Sequence, residues 1–409
     1  MEYIAALDLG TSKMIAMAAT KNREGALTVL GSEKTDSETC IRRGCIYNIE
    51  KTGEKVASLV RMLGAHKLKS SIRKIYVGIG GQSLRTEYHT VRKEINGGIV
   101  SNEILVALEE ECREYEPELA EIFAIISPEY YLDGRLEMEP KGVSCEVIEA
   151  KFQLILGRPS LRICLEKSIE EKAKIEIAGF FVSPLATAEA VLDDRERRLG
   201  CALVEFGAGI TYISIYKDGF LRYLTAIPLG GNVITKDLCD LGILEPEAEK
   251  LKIEQGNARI EDGEEESQDI IVEARANEIV ANVIEQIRLS GYENLLGEGI
   301  IITGGGSLLK NIDTLLAQKT GKQVRRTAIE DPTQACVLGL LKLGTENCAR
   351  EVVVKKEPEP TLFEKIPVQE EPKPQEQKPK KRTLWGGLMG GVEKAAKGLF
   401  DDDNTNTNE

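Results

Sequence analysis

Histidine is nearly missing. The chain of 409 residues holds two, His66 and His89, beside nine cysteines that form no C-x-x-C pair. A structural zinc site therefore has almost no ligand set to draw on. The cysteine count is odd and scattered from Cys40 to Cys348, which suits reduced thiols better than a secreted disulfide scaffold. Basic residues are outnumbered, 53 against 67 acidic, for a formal charge of −14. Nucleic-acid binding needs a concentrated basic surface, so no nucleic-acid partner is expected. A run of about 18 uncharged apolar residues is absent, so no transmembrane helix is expected. Positions 1–19 are apolar but interrupted by Glu2, Asp8 and Lys13, whereas a signal peptide has its basic residue first and an unbroken apolar core. The expected compartment is the cytoplasm.

What is present reads as globular α/β up to about residue 344. Strand-like runs recur at 3–9, 14–20, 75–79, 123–126, 201–206, 211–216 and 299–303, with amphipathic helices at 52–63, 102–114, 159–174 and 274–290. The length leaves room for more than one domain, since roughly 100–200 residues make one. Beyond Cys348 the composition shifts: six of the 14 prolines fall in 358–379, among Glu, Lys and Gln. Such a segment cannot bury enough apolar area to offset its ordering entropy, so 346–382 is expected to be a disordered tether. A short repeat is visible, Ala6-Leu7-Asp8-Leu9-Gly10-Thr11-Ser12 against Leu203-Val204-Glu205-Phe206-Gly207-Ala208-Gly209, offset by 197 residues. Each copy leads into a β-rich run. Two similar half-domains facing each other would account for it, and so would coincidence.

Four glycine-rich stretches could carry chemistry. In the first, Asp8-Leu9-Gly10-Thr11-Ser12-Lys13, glycine lets backbone approach a phosphate and the turn N–H groups with the Thr11 and Ser12 hydroxyls can cradle its oxygens. Lys13 adds a point charge, and Asp8 can hold magnesium through water. The second, Glu205-Phe206-Gly207-Ala208-Gly209-Ile210-Thr211, offers the same geometry on an opposite wall. Leu229-Gly230-Gly231-Asn232 runs into Thr235-Lys236-Asp237, where a helix is expected to begin, and a strand at 299–303 ends in Gly304-Gly305-Gly306 before a helix expected at 307–316. Glycines at a helix N-terminus suit anion binding, because orphan N–H groups and the dipole point outward. Each stretch alone reads equally as a tight turn; four at strand ends point to one ligand site.

The terminal patch 383–400, set on a helix at about 100° per residue, gathers Leu384, Trp385, Leu388, Met389, Val392, Ala395, Ala396, Leu399 and Phe400 within about 160° of arc. Lys380, Lys381 and Arg382 precede it, placed to meet anionic headgroups, and Trp385, the only tryptophan, favours the membrane–water interface. The expectation is an amphipathic membrane-targeting helix, with an acidic tail at 401–409. The alternatives are a helix folded back on the body or one docking a protein partner; the polar tether and the basic cluster favour lipid. Its five glycines cost roughly 4–5 kcal/mol relative to alanine, so one such foot binds weakly. Several on a polymer would bind by avidity.

The order of motifs resembles the actin-like ATPase superfamily and, within it, the FtsA family of bacterial cell-division proteins. The resemblance covers about residues 3–342 and resumes at the terminal patch. It is carried by Ile41-Arg42-Arg43-Gly44, Ser127-Pro128-Glu129-Tyr130, Gly142-Val143-Ser144, Pro184-Leu185-Ala186-Thr187-Ala188-Glu189-Ala190, Ile227-Pro228-Leu229-Gly230-Gly231-Asn232 and Ala248-Glu249-Lys250-Leu251-Lys252. It implies two lobes with duplicated sheet domains. The first comprises 1–81 and 159–196 around an inserted subdomain at 82–158; the second comprises 197–233 and 298–345, the latter ending in a return to the first lobe, around a smaller partner-docking subdomain at 234–297. It implies ATP and Mg2+ as cofactors, with Glu249 and Lys252 lining the ribose, Gly304 to Gly306 the adenine side, and Asp8 and Glu205 holding Mg2+ through water. The implied partners are FtsZ, further copies of the chain, other divisome proteins and an anionic membrane surface, at the inner face of the cell membrane at the division septum. Arg275 and Glu278 are candidates for the docking helix.

The departures concern hydrolysis. The family pattern at the second hairpin is Asp, apolar, Gly-Gly-Gly-Thr-Thr-Asp, where this chain has Glu205, Ile210 and Tyr212 at the first, sixth and last positions. Glu205, the candidate catalytic residue, is one methylene longer than aspartate, and a misplacement near 1 Å can cost about a hundredfold in rate. Slow or absent turnover is expected, with ATP as a structural ligand. A small-molecule kinase of the same fold, or a pilus-type actin-like adaptor, is the alternative; neither has an evident use for the terminal helix.

Overall fold

In the computed structural model the described residues are 2–37, 39–259 and 267–349. The chain divides into units Met1–Val352 and Val353–Glu409. The expected terminal helix, its basic cluster, the acidic tail and nearly all of the expected tether lie outside the described residues.

The strand Ile4–Leu9 is buried at every position but Asp8, and Cys201–Phe206 repeats the pattern with Glu205 as its exception. Continuous apolar runs of this kind belong to the centre of a sheet covered on both faces. Each of these strands pairs antiparallel with its successor, Lys13–Lys21 or Thr211–Lys217. A third antiparallel strand follows, Leu27–Asp36 or Phe220–Ile227. After a helical crossover each central strand gains a parallel neighbour, Lys74–Ile79 or Ile300–Thr303. Beyond it lies a second parallel strand, Glu176–Val182 or Val324–Arg326. Both five-stranded sheets thus have one order, third–second–first–fourth–fifth. The short repeat is the visible trace of a duplicated sheet.

Residues 85–157 build a separate antiparallel sheet in the order Arg85–Glu94, Val147–Gly157, Glu121–Leu132, Arg135–Glu137. The helix Asn102–Arg113, capped by the Ser101 side chain, contributes Leu108 and Cys112 to a core shared with Val91, Phe152 and Leu154. This sheet touches the edge of the second lobe. The Thr86 hydroxyl accepts from Leu224 N at 3.1 Å, while the Tyr88 hydroxyl and the Gln153 amide both donate to the Arg222 carbonyl. The Arg222 side chain pairs with Glu129.

Helices Ser183–Val191 and Ala335–Leu343 pack together with Gly339 against the backbone of Ala186, where a Cβ would strike the carbonyl. Three expected helices differ in extent, and the one expected at 274–290 runs Ser267–Leu289. The one expected at 52–63 runs Ile49–Met62, because Asn48 caps it by accepting from Lys51 N. The one expected at 159–174 is α-helical over Ser160–Glu166 and continues as wider π-helical turns over Lys167–Lys172.

Candidate functional site

The two matched hairpins face each other. In the first, a Cβ on Gly10 would lie 2.7 Å from the Lys13 carbonyl oxygen, so this turn closes only around glycine. The Ser37 hydroxyl donates to the Gly10 carbonyl at 2.7 Å, and the Thr11 hydroxyl accepts from Gly44 N at 3.1 Å. In the second, Gly207 N donates to the Ile210 carbonyl at 2.9 Å. A Cβ on Gly209 would stand 2.7 Å from Thr11 Cγ2. The hairpins therefore meet at that point.

The Gly230–Gly231 pair opens the helix Gly231–Leu238, earlier than its expected start at Thr235, with Gly230 extended at the N-cap. Its first N–H groups are spent on the second hairpin: Gly231 N donates to the Gly207 carbonyl at 2.9 Å and Asn232 N to the Ala208 carbonyl at 2.7 Å. The Thr211 hydroxyl donates to the Leu229 carbonyl at 2.8 Å. The triple glycine corrects the helix expected at 307–316. Gly304 has φ +81° and leads into a single 3₁₀ turn, Gly305–Leu308; the helix starts only at Ile312, after Asn311 in the left-handed region. A Cβ on Gly304 would sit 2.5 Å from the Phe206 carbonyl oxygen, so glycine is required for backbone to lie on backbone there.

Between these loops lies a cavity of about 340 Å³. Of the sequence-predicted site residues it brings together Asp8, Gly10, Thr11, Ser12, Lys13, Glu205, Gly207, Ala208, Gly230, Gly231, Glu249, Lys252, Gly304, Gly305 and Gly306. Gly209, Thr211 and Asn232 are not among the lining residues; Gly209 meets Thr11, and Thr211 and Asn232 bond neighbouring loops. Sequence reasoning missed Gly44, Gly80, Ser183, Pro332 and Thr333, which come from loops far apart in the chain, and an aliphatic wall of Ile253, Ala276, Ile279, Leu308, Leu309 and Ile312. Ile253 and Leu308 are 71% and 61% exposed, large apolar side chains left open beside a cavity. Glu249 and Lys252 lie one turn apart on the helix Glu245–Gln255. Lys252 Nζ donates to Glu249 at 2.6 Å, to the Thr235 hydroxyl at 2.9 Å and to the Gly231 carbonyl at 3.2 Å. That network joins a polar rim to the Gly230–Gly231 loop.

The floor is two carboxylates. Withdrawal from bulk water pushes Asp8 up to about 6, against the nearby Cys336 thiol and Lys13, which favour its charge. Withdrawal from water and then the Asp8 charge push Glu205 up to about 8. Glu205 Oε2 is buried without a hydrogen-bond partner among the described residues. Burial likewise lowers Lys13, with the Asp331 charge opposing. Among the described residues no group of three or more His, Cys, Asp or Glu is set to hold a metal ion. Arg275, a candidate for partner contact, is engaged within the chain, bonding Asp237 through Nε at 2.6 Å and pairing with Glu278.

Such a pair of lobes, each built on the same five-stranded order and closing glycine loops on a shared cleft, defines the actin-like ATPase fold. Solved structures carry it too. A chain titled PilM-PilN type IV pilus biogenesis complex aligns with TM-score 0.63 at 15% identity, over 84% of this chain and 98% of that one. Ethanolamine utilization protein EutJ from Carboxydothermus hydrogenoformans aligns with TM-score 0.53 at 16% identity, over 84% and 90%. These likenesses are of fold alone. Sequence goes further: the family model described as Cell division protein FtsA matches residues 202–339. The Cell division protein FtsA of Porphyromonas gingivalis is 32% identical over 351 residues, covering 80% of this chain and 73% of that protein. That of Bacillus subtilis is 27% identical over 385 residues, covering 85% and 84%. The chain belongs to the FtsA family of cell-division proteins.

Proposed function

We propose that the cleft binds ATP with Mg2+ and that the chain, assembling with copies of itself, tethers FtsZ filaments and other divisome proteins to the cytoplasmic membrane at the division site. The observation that carries the nucleotide reading is the cleft itself: two glycine hairpins over paired carboxylates, an aliphatic wall opposite, and a polar rim at Glu249 and Lys252. Backbone N–H groups suit phosphates, and a flat apolar wall suits a base. Mg2+ fits the floor, because Glu205 Oε2 is buried without a hydrogen-bond partner and the Asp8 charge raises Glu205. Asp8 and Glu205 would hold the ion through water, since magnesium keeps several waters and takes few protein ligands. When bound it neutralises phosphate charge. Glu205 stays largely protonated at neutral pH in the unliganded cleft, and Ile210 offers no hydroxyl to the site, which supports slow or absent hydrolysis.

The membrane reading rests on the stripe at 383–400 and the Lys380-Lys381-Arg382 cluster. Among the described residues no helix is long and apolar enough to cross a membrane. Docking of FtsZ is assigned to the region 234–297. The test has two arms. Full chain titrated with ATP and Mg2+ should show saturable uptake, and phosphate release at tens per second would refute a structural nucleotide. With anionic vesicles and ATP, Trp385 emission should shift to the blue and the chain should sediment with lipid. Removal of 383–409 takes Trp385 with it, so the shortened chain is read by sedimentation alone, which should be lost; continued vesicle binding by the shortened chain would overturn the membrane reading.

A further inference from the structure

Tyr212 stands where the family pattern has a carboxylate. It lies on the second lobe's strand Thr211–Lys217, opposite Glu205 in the ladder, yet its bond is to the first lobe: Gly81 N donates to the hydroxyl at 2.6 Å. The side chain is 5% exposed, and its neighbours leave no slack. A Cβ on Gly44 would lie 2.9 Å from the hydroxyl, and one on Gly80 2.8 Å from it. Glycines from two separate loops of the first lobe therefore form a socket that a phenolic head fills. The socket is itself tied to the first hairpin, because Gly44 N donates to the Thr11 hydroxyl at 3.1 Å. Gly44, Gly80 and Tyr212 all line the cavity at the end where Asp8 and Glu205 lie.

We propose that Tyr212 is a positioning residue, a latch that fastens the two lobes across the phosphate end of the cleft and slows release of bound nucleotide. Opening the cleft must break the bond to Gly81 and withdraw the hydroxyl from its socket. An aspartate is too short to span that distance. The inference rests on the ATP reading above and adds a residue that sets how long the ligand stays. Without the hydroxyl the Gly81 N–H is left buried and unpaired, a loss equivalent to about 5- to 150-fold in the closing equilibrium.

The test follows release of a fluorescent ATP analogue, chased with ATP and Mg2+, from the full chain. Tyr212→Phe keeps the ring and removes the hydroxyl; release should speed up by about tenfold. Gly80→Ala adds a methyl 2.8 Å from that hydroxyl and no closer than 3.6 Å to its other neighbours. It should speed release in the natural background and have little effect with Phe at position 212. A residue with only a structural role would instead lower the melting temperature of the free chain, leave release unchanged and give additive effects in the double variant. Uptake with release at the natural rate in Tyr212→Phe, or equal effects of Gly80→Ala in both backgrounds, overturns the latch alone. No saturable uptake by the natural chain overturns both the latch and the ATP reading.

Discussion

Adding one methyl group at Gly209 tests whether the two hairpins must touch for the cleft to work. The new Cβ would stand 2.7 Å from Thr11 Cγ2 and 3.1 Å from Thr11 Oγ1. Non-bonded carbons rest at about 3.5–4.0 Å, so the hairpins must part by about 1 Å or Thr11 must turn away. Turning costs the bond that Thr11 accepts from Gly44. Overpacking of this kind costs about 1–3 kcal/mol, and here the cost falls mainly on the closed state, because the clashing groups belong to different lobes. Gly209→Ala should therefore weaken ATP binding by about 5- to 150-fold while lowering the melting temperature of the free chain little. Thr11→Ser removes Cγ2 and keeps the hydroxyl, so in the double variant most of the affinity should return. Equilibrium titration of a fluorescent ATP analogue with Mg2+ reads both. Natural affinity in Gly209→Ala, or no recovery in the double variant, would refute the claim that closure brings Gly209 onto Thr11.

Three further outcomes are expected. Asp8 and Glu205 have pKa values raised from 3.8 and 4.5 to about 6 and about 8. The folded chain therefore holds protons that the unfolded chain has released, and stability without nucleotide or Mg2+ should fall as pH rises from about 4 to 8. Glu205→Gln should flatten the upper part of that melting curve; an unchanged slope would count against the buried pair. Gly304→Ala forces a Cβ at φ +81° into the Phe206 backbone. It should abolish nucleotide uptake and cost at least about 1–3 kcal/mol by chemical denaturation. Arg222→Ala removes the partner of Glu129 and should cost about 1.5–3 kcal/mol, with faster amide exchange in 85–157.

The central strands were legible because burial on both faces leaves one apolar run with a single carboxylate, and that signature occurs twice. The edge strand of the inserted sheet was not. Arg85–Glu94 carries Arg, Glu, His and Lys on a largely exposed strand, so no apolar run marks it. Ala335–Leu343 is buried on nearly all sides and shows no polar face to reveal a helical period. Within the site, glycines beside carboxylates could be read from the sequence, since close backbone approach admits few other residues. The aliphatic wall could not, because Ile253, Ile279 and Leu308 look like ordinary helix and turn residues until folding leaves them beside a cavity. Tyr212 was legible only as a missing carboxylate. Its partners Gly44, Gly80 and Gly81 lie more than a hundred positions earlier in the chain, so no local pattern could connect them.

The strand Phe220–Ile227 ends its sheet, and a free border of that kind ordinarily invites a stranger's backbone to continue the ladder. Here Leu224 and Arg222 have their main-chain groups occupied by Thr86, Tyr88 and Gln153 of the neighbouring insertion. The insertion thereby closes off one route to unwanted pairing, leaving that border unavailable to runaway β-stacking.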